Sequence, residues 1–474
     1  MPGMLAVEGP QTNQDLGHHP NRNAVSRLST AASGEIRMQL HHHLPSPIED
    51  TLRKALRLVD DETGIIKILH EAPCAPDSPR IFGCGALSSD YSRFGFPSES
   101  PISGSTSLVR DQALVGAIGE AVERYSAAYV PYDEIIYRPT SAVSATAVSP
   151  WSLSLYDEVQ LARPGFGYCA LRPDDTIGWA MGFSLARKQP ILVPAFAVYQ
   201  PYIGRTGEAP VVQQITTGLA CGNTAEEAIL SAICEVVERD AAMLMWLQSR
   251  RPPKAVIDLR TPQLVRETLD RFGSIADHVT LLDVTTDLAI PAYVAVSDIP
   301  MAGKRGATFS SCANLVASRA AVGALTELAQ CLLWVNSLVD KGAHLPRASL
   351  EEIAQIEEHV LWPLLPENRR AFEFILSSSR ETEIPQDPDG PTDILDSITH
   401  CVERIARGGL DVIAVDVTSP DIRECGLHVF RAIIPGAQPL YFGSGLHRIS
   451  VRAISAEYAD RANKRINLHP HPFP

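Results

Sequence analysis

The 474-residue sequence predicts an α/β fold with two or three subdomains. Three observations predict it. Short apolar runs of strand length interleave with longer helical patterns along most of the chain. Apolar residues make up 45% and charged residues 20%, a globular composition. Two apolar helical stretches, "AIGEAVERYSAA" and "SAICEVVERDAA", repeat the frame Glu-x-Val-Glu-Arg.

The elements follow in chain order. Residues 1–45 are rich in Gln, Asn, Ser, Pro and His and read as an unfolded extension. His41-His42-His43 read as a polar loop, since nothing nearby completes a metal site. Residues 46–100 are expected to form a small N-terminal subdomain, with a helix from about Pro47 ("IEDTLRKALRLV") and a strand in "GIIKIL". The Ser/Gly/Pro-rich stretch 86–107 reads as a long loop. The first glutamate helix is expected over 111–130, and strands over 133–137, 178–184 and 191–198. Gly218 and Gly222 mark tight backbone. Thr224 is a good N-cap, and Glu227 at N3 completes a capping box. The helix 225–249 stops before Pro252-Pro253. Strands follow at 278–283 and 291–297. The helix "SRAAVGALTELAQCLLWV" then places Glu327 and Gln330 one turn apart. Helices near 349–360 and 393–408 and strands at 411–417 and 427–434 finish the core. Pro470, Pro472 and Pro474 of "LHPHPFP" hold the tail extended.

Composition excludes several function classes. The net charge of −14 and the lack of a basic run argue against nucleic acid as a partner. No apolar run is expected to span a bilayer, and the N-terminal stretch holds no apolar signal core, so export is not expected. The nine cysteines form no C-x-x-C pair, so they read as core thiols of a reduced, cytoplasmic protein. There is neither a P-loop nor a G-x-S-x-G elbow.

The glutamates carry the chemistry. At about 100° per residue, Glu227, Ser231, Glu235 and Glu238 share one narrow stripe of an otherwise apolar helix. A solvated face would mix Lys with Glu, and this stripe has no Lys. Like charges on a buried helix need a cation between them or lose their charge. Glu120 and Glu123 repeat the arrangement beside the small residues Ala113 and Gly116. Two helices each offering paired carboxylates suit Mg²⁺, which is held by oxygen ligands and phosphate.

Together these features resemble the YcaO family, over roughly residues 60–474. The resemblance rests on Glu120, Glu123 and Arg124; on "GLACGNTAEEAILSAICEVVERD"; on the "ALTELAQ" helix; and on the closing "PHPFP". It implies a YcaO-type fold over 101–474, with an ATP/Mg²⁺ site between glutamate-bearing helices and a mixed sheet. Glu120, Glu123, Glu235 and Glu238 would bind the metal. Asn223, Glu227, Arg239, Glu327, Gln330 and Arg124 would contact ATP. Pro470, Pro472 and Pro474 would line the catalytic site. The implied activity is azoline-forming cyclodehydration of Cys, Ser or Thr in a ribosomal precursor peptide, as in thiazole/oxazole-modified bacteriocins. Implied partners are that precursor, a leader-binding protein and an FMN-dependent azoline dehydrogenase, with the chain itself a homodimer. A thioamide- or amidine-forming enzyme and an ATP-inactive scaffold are the rival readings. Three positions depart from the family pattern: Ser105-Thr106-Ser107 stands for Gly-Lys-Gly, Gly116 for a serine and Gly323 for a basic residue. Arg110 and Arg319 are candidate substitutes for the missing cations.

Overall fold

The computed structural model describes residues 28–30, 36–72, 78–92, 101–205, 207–301, 304–346, 353–387, 393–455 and 466–474. Cys74 and most of the stretch 347–355 fall wholly or partly outside them. Three sheets frame three long helices. A three-stranded antiparallel sheet runs Ile66–Glu71, Phe82–Ser88, Ile102–Ser107. A second sheet is ordered Ile136–Pro139, Thr176–Ser184, Ile413–Asp416, His428–Ile433, Leu219–Gly222, and Gln189–Pro194 also pairs with Thr176–Ser184. The third is ordered Thr308–Ala313, Ala292–Ser297, Val279–Asp283, Lys254–Ala255, Glu381–Thr382. Its last pair is parallel and the rest of it antiparallel, so the architecture is mixed.

The helix Ala225–Leu247 lies at the centre, between the second and third sheets. Being covered on both sides explains why its apolar residues occupy most of its circumference. The first glutamate helix, Arg110–Ala128, packs on the three-stranded sheet and on Leu219–Gly222. Ala113, Ala117 and Ala121 on its buried face allow that close approach. The third, Ala317–Asp340, packs on Thr308–Ala313 and Ala292–Ser297. By length and composition alone this helix could cross a membrane, contrary to the expectation that no segment qualifies. Here its apolar face covers a sheet.

Three expectations need correction. The presumed loop 86–107 contains the strand Ile102–Ser107. Its Ser and Gly content mimics a loop, but small residues are what a strand needs beneath two helices. That strand also pairs with Phe82–Ser88, so the boundary drawn at residue 100 falls within one sheet. The supposedly unfolded 1–45 includes a pairing of Leu28–Thr30 with Ile36–Met38. Met38 of that pairing and Leu40 just after it pack against the core.

Candidate active site

Carboxylates from all three helices converge. On the central helix the buried face leaves Glu227, Leu230, Ser231, Glu235 and Arg239 with accessible surface. The stripe therefore keeps some solvent access along an otherwise buried helix, except at Glu238, which is itself buried. Glu235 accepts a hydrogen bond from the Gly218 N–H (3.0 Å), and Glu123 from the Cys221 N–H (2.9 Å). Glu120 accepts from the Gly104 N–H (2.8 Å) and pairs with Arg124 (2.5 Å). Glu238 accepts from the Ser311 hydroxyl (2.8 Å). Gly218 has φ +84°, and a Cβ there would approach the Ala432 carbonyl oxygen to 2.4 Å. Only glycine presents this N–H to Glu235 without moving the sheet.

The carboxyls disturb one another. Burial, then the nearby Glu235, raises Glu123 well above the usual carboxylate range. Burial lifts Glu235 to about 7, with Glu238 adding to the shift and Arg239 opposing it. Glu327 is raised well above its ordinary value by burial, then by Glu238, Glu235 and Glu120. Glu327, expected as a nucleotide contact, thus belongs to the same anionic cluster. Burial disfavours the Arg239 cation, yet Glu238, Glu235 and Glu327 outweigh it and hold the guanidinium charged. Glu235, Glu238 and Glu327 face Arg239, with Glu123 beside Glu235 and Glu120 near Glu327, and so acidic a cluster fits a hard divalent cation. The Cys312 Sγ and the carboxylate oxygens of Glu238 and Glu327 lie within 4.8 Å of one another, close enough to share an ion. Burial first and those carboxylates next push its thiol up, so it stays a neutral thiol.

The tail ends at this cluster. An Arg239 N–H donates to the main-chain oxygen of Pro474 (2.7 Å). His471 and Phe473 are each 0% exposed, which excludes a frayed end. The His359 Nε2 accepts from the Gly443 N–H (2.9 Å), so its Nδ1–H donates to the His471 carbonyl (2.7 Å). The two rings stack at 4.2 Å, and His471 donates to the Tyr441 carbonyl.

This seat is sensitive to acid. Burial lowers His359 from 6.5 to about 4, and burial together with the His359 ring lowers His471 well below its ordinary value. Both rings are neutral when folded, whereas a released imidazole protonates near 6.5. Stability is complete above that value and falls as pH drops toward 4, by about 3 kcal/mol for His359 alone. Trp246 donates to the His469 carbonyl and Trp362 to that of His471. Tryptophan fluorescence should therefore change between about pH 6.5 and 4. A flat signal across that window would show that the rings do not govern the seat.

Of the remaining expected contacts, Asn223 and Glu227 lie apart from the cluster, while Arg124 and Gln330 border it at Glu120 and Gly104. Thr224 caps the central helix, but the Glu227 carboxylate bonds the Asn223 N–H (3.0 Å), so the predicted capping box does not close. Glu227 also accepts from the Ser46 N–H (2.6 Å), and Glu226 from the His41 N–H (2.7 Å). The Lys54 ammonium bonds the Asn223 side-chain oxygen. Asn223 and Glu227 are thus engaged by residues 41–54 rather than gathered into the carboxylate cluster. Arg124 is held by Glu120, and Gln330 donates to the Gly104 carbonyl (3.1 Å).

The departures have local explanations. A Cβ at Gly116 would stand 2.2 Å from the Ser105 Oγ and 2.8 Å from its Cβ. A Cβ at Gly323 would stand 2.3 Å from the Cys312 Sγ. Neighbouring side chains fill both spaces. Thr106 donates to the Thr326 carbonyl (2.6 Å) and ties the strand to the third helix. Arg110 is ion-paired with Glu71, so it is already engaged, and Arg319 is exposed.

Comparison with known proteins identifies this arrangement. A family model described as YcaO cyclodehydratase, ATP- and Mg²⁺-binding, matches residues 106–438. A heterocyclase solved in complex with substrate and cofactor shares the fold, with TM-score 0.68 and 23% identity over 86% of this chain. This chain spans only 55% of that protein's length. YcaO from Methanopyrus kandleri, bound with AMPPCP and Mg²⁺, has TM-score 0.59 and 22% identity, covering 83% of this chain and 92% of its own. A chain of the E. coli microcin synthetase McbBCD complex has TM-score 0.56 and 14% identity, covering 88% of this chain and 98% of its own. The family match takes in most of the chain, including all five clustered glutamates and Arg239, and the chain belongs to the YcaO family of ATP- and Mg²⁺-binding cyclodehydratases.

Proposed function

We propose that this chain catalyses ATP-dependent cyclodehydration of Cys, Ser or Thr residues in a ribosomal precursor peptide. One observation carries the proposal: the "PHPFP" tail is seated on Arg239, inside the cluster formed by Glu120, Glu123, Glu235, Glu238 and Glu327. Those glutamates would hold Mg²⁺, which supplies neutralisation of phosphate charge during phosphoryl transfer. The Arg239 fork offers a fixed, delocalised cation for the phosphates. The Gly218, Cys221 and Gly104 N–H groups aim three of the carboxylates before any ligand arrives. Pro470, Pro472 and Pro474 keep the tail extended, so little entropy is lost in holding it beside the reacting amide.

The chemistry balances. A substrate thiol or hydroxyl loses its proton to solvent and adds to the preceding backbone carbonyl, forming a C–S or C–O bond as the carbonyl π-bond breaks. The resulting oxyanion takes the γ-phosphoryl group of ATP, releasing ADP. The C–O bond then breaks, phosphate leaves with its electron pair, the amide nitrogen loses its proton and an azoline remains. A leader-binding protein and an FMN-dependent azoline dehydrogenase are the proposed partners, with this chain as a cytoplasmic homodimer. The likeness to a chain of a microcin synthetase complex supports work within an assembly.

Mass spectrometry of a precursor incubated with the chain, ATP, Mg²⁺ and a leader-binding protein tests the proposal. The expected result is loss of one water per ring, much faster with the leader-binding protein than without it. Exchange of oxygen for sulfur would identify a thioamide-forming enzyme instead. No ATP turnover with all components present would identify a scaffold.

A further inference from the structure

A cavity of about 100 Å³ lies beside Thr217 and Val236, the chain neighbours of Gly218 and Glu235. Val236 of the central helix forms one wall, and Arg431 and Arg448 line another. Arg431 sits on the strand His428–Ile433, and Arg448 in the loop beyond it. They are only 6% and 8% exposed. Arg431 spends one nitrogen on the Ile215 carbonyl (2.7 Å), while its Nε and its other terminal nitrogen have no hydrogen-bond partner. The Arg448 Nε has none either.

The neighbouring amides cannot satisfy them. Gln213 gives its side chain to the main chain of Phe442, Gln214 to Tyr202, and Gln438 to Pro439, Arg448 and Ser450. Burial disfavours the charge on both guanidiniums; Glu235 offsets it only in part at Arg431, and Tyr156 and Tyr168 only in part at Arg448. Among the described residues no carboxylate is ion-paired with either arginine. Two buried guanidiniums with idle N–H groups are costly unless an anion joins them. Their planar forks match an oxyanion, and the cavity takes a group of that size.

We propose that Arg431 and Arg448 form an oxyanion subsite for one phosphate or carboxylate group, separate from the glutamate cluster. The group comes either from free phosphate or from a carboxylate of a bound peptide. The test uses the whole chain in EDTA, so that the acidic cluster repels anions. Thermal midpoints are measured with inorganic phosphate and with chloride at equal ionic strength. Phosphate should raise the midpoint above chloride, and its affinity should fall at least about tenfold in Arg431→Met and Arg448→Met, the loss of one charge-assisted bond or more. Arg431→Lys and Arg448→Lys keep the charge without the fork and should bind several-fold more weakly. Arg239→Met should retain the phosphate response. Competition by acetate assigns the subsite to a carboxylate, and its absence to phosphate. A midpoint no higher than in chloride, unchanged affinity in the Arg431 and Arg448 variants, or loss of the response in Arg239→Met would overturn the proposal.

Discussion

Glu235→Gln and Glu238→Gln should each lower ATP-dependent turnover by at least about 100-fold, because each removes a carboxylate from the charge balance around the phosphates. The fold should survive. Glutamine still accepts from the Gly218 N–H at position 235 and from the Ser311 hydroxyl at position 238. It also removes one of several mutually repelling charges, so the thermal midpoint without Mg²⁺ should hold or rise. Turnover and melting measured together decide the matter. Wild-type turnover in both variants would return the stripe to a purely structural role.

The second large effect concerns the tail. Deleting residues 470–474 should abolish most cyclisation while changing ATP affinity much less, since the helices, not the tail, carry the carboxylates. The deletion also removes Phe473 from its contact with Phe309. A loss of about 3–5 kcal/mol is expected from that truncation alone. The rate must therefore be read well below the variant's melting temperature. Pro472→Ala leaves Phe473 in place and separates the two effects: it relaxes the extended backbone without emptying the core. Unimpaired cyclisation by the folded, truncated chain would reduce the tail to a plug.

The glutamates were legible because residue type and helical period together fix which side chains share a face. Glu235 and Glu238 announce themselves in that way, as do Glu120 and Glu123. For Glu327 the resemblance supplies a nucleotide role, and its own helix, with no second glutamate one turn away, does not show that it lies among the other carboxylates. Its company comes from across the fold. The strand Ile102–Ser107 was hidden by a composition that suits both loops and crowded strands. The hold of residues 41–46 on Glu226 and Glu227 was invisible for another reason. Those bonds come from main-chain N–H groups, which every residue except proline possesses. Arg431 and Arg448 gave no signal either, because only packing shows that their nitrogens lack partners.

The close approach of Ser105 to Gly116 makes the two positions genetically interdependent. Placing serine at 116, the residue the resemblance leads one to expect there, would drive its Cβ into Ser105. Turning the Ser105 hydroxyl aside does not relieve the clash, because its own Cβ remains 2.8 Å away. Ser105→Gly alone leaves a hydroxyl-sized gap beside the first glutamate helix. Each single change is therefore harmful where the joint exchange is nearly neutral, which is sign epistasis. A lineage moving between the two arrangements must cross a less fit intermediate or change both sites together. A one-residue-at-a-time scan would score Gly116 as intolerant of serine, although Ser105→Gly makes room for it.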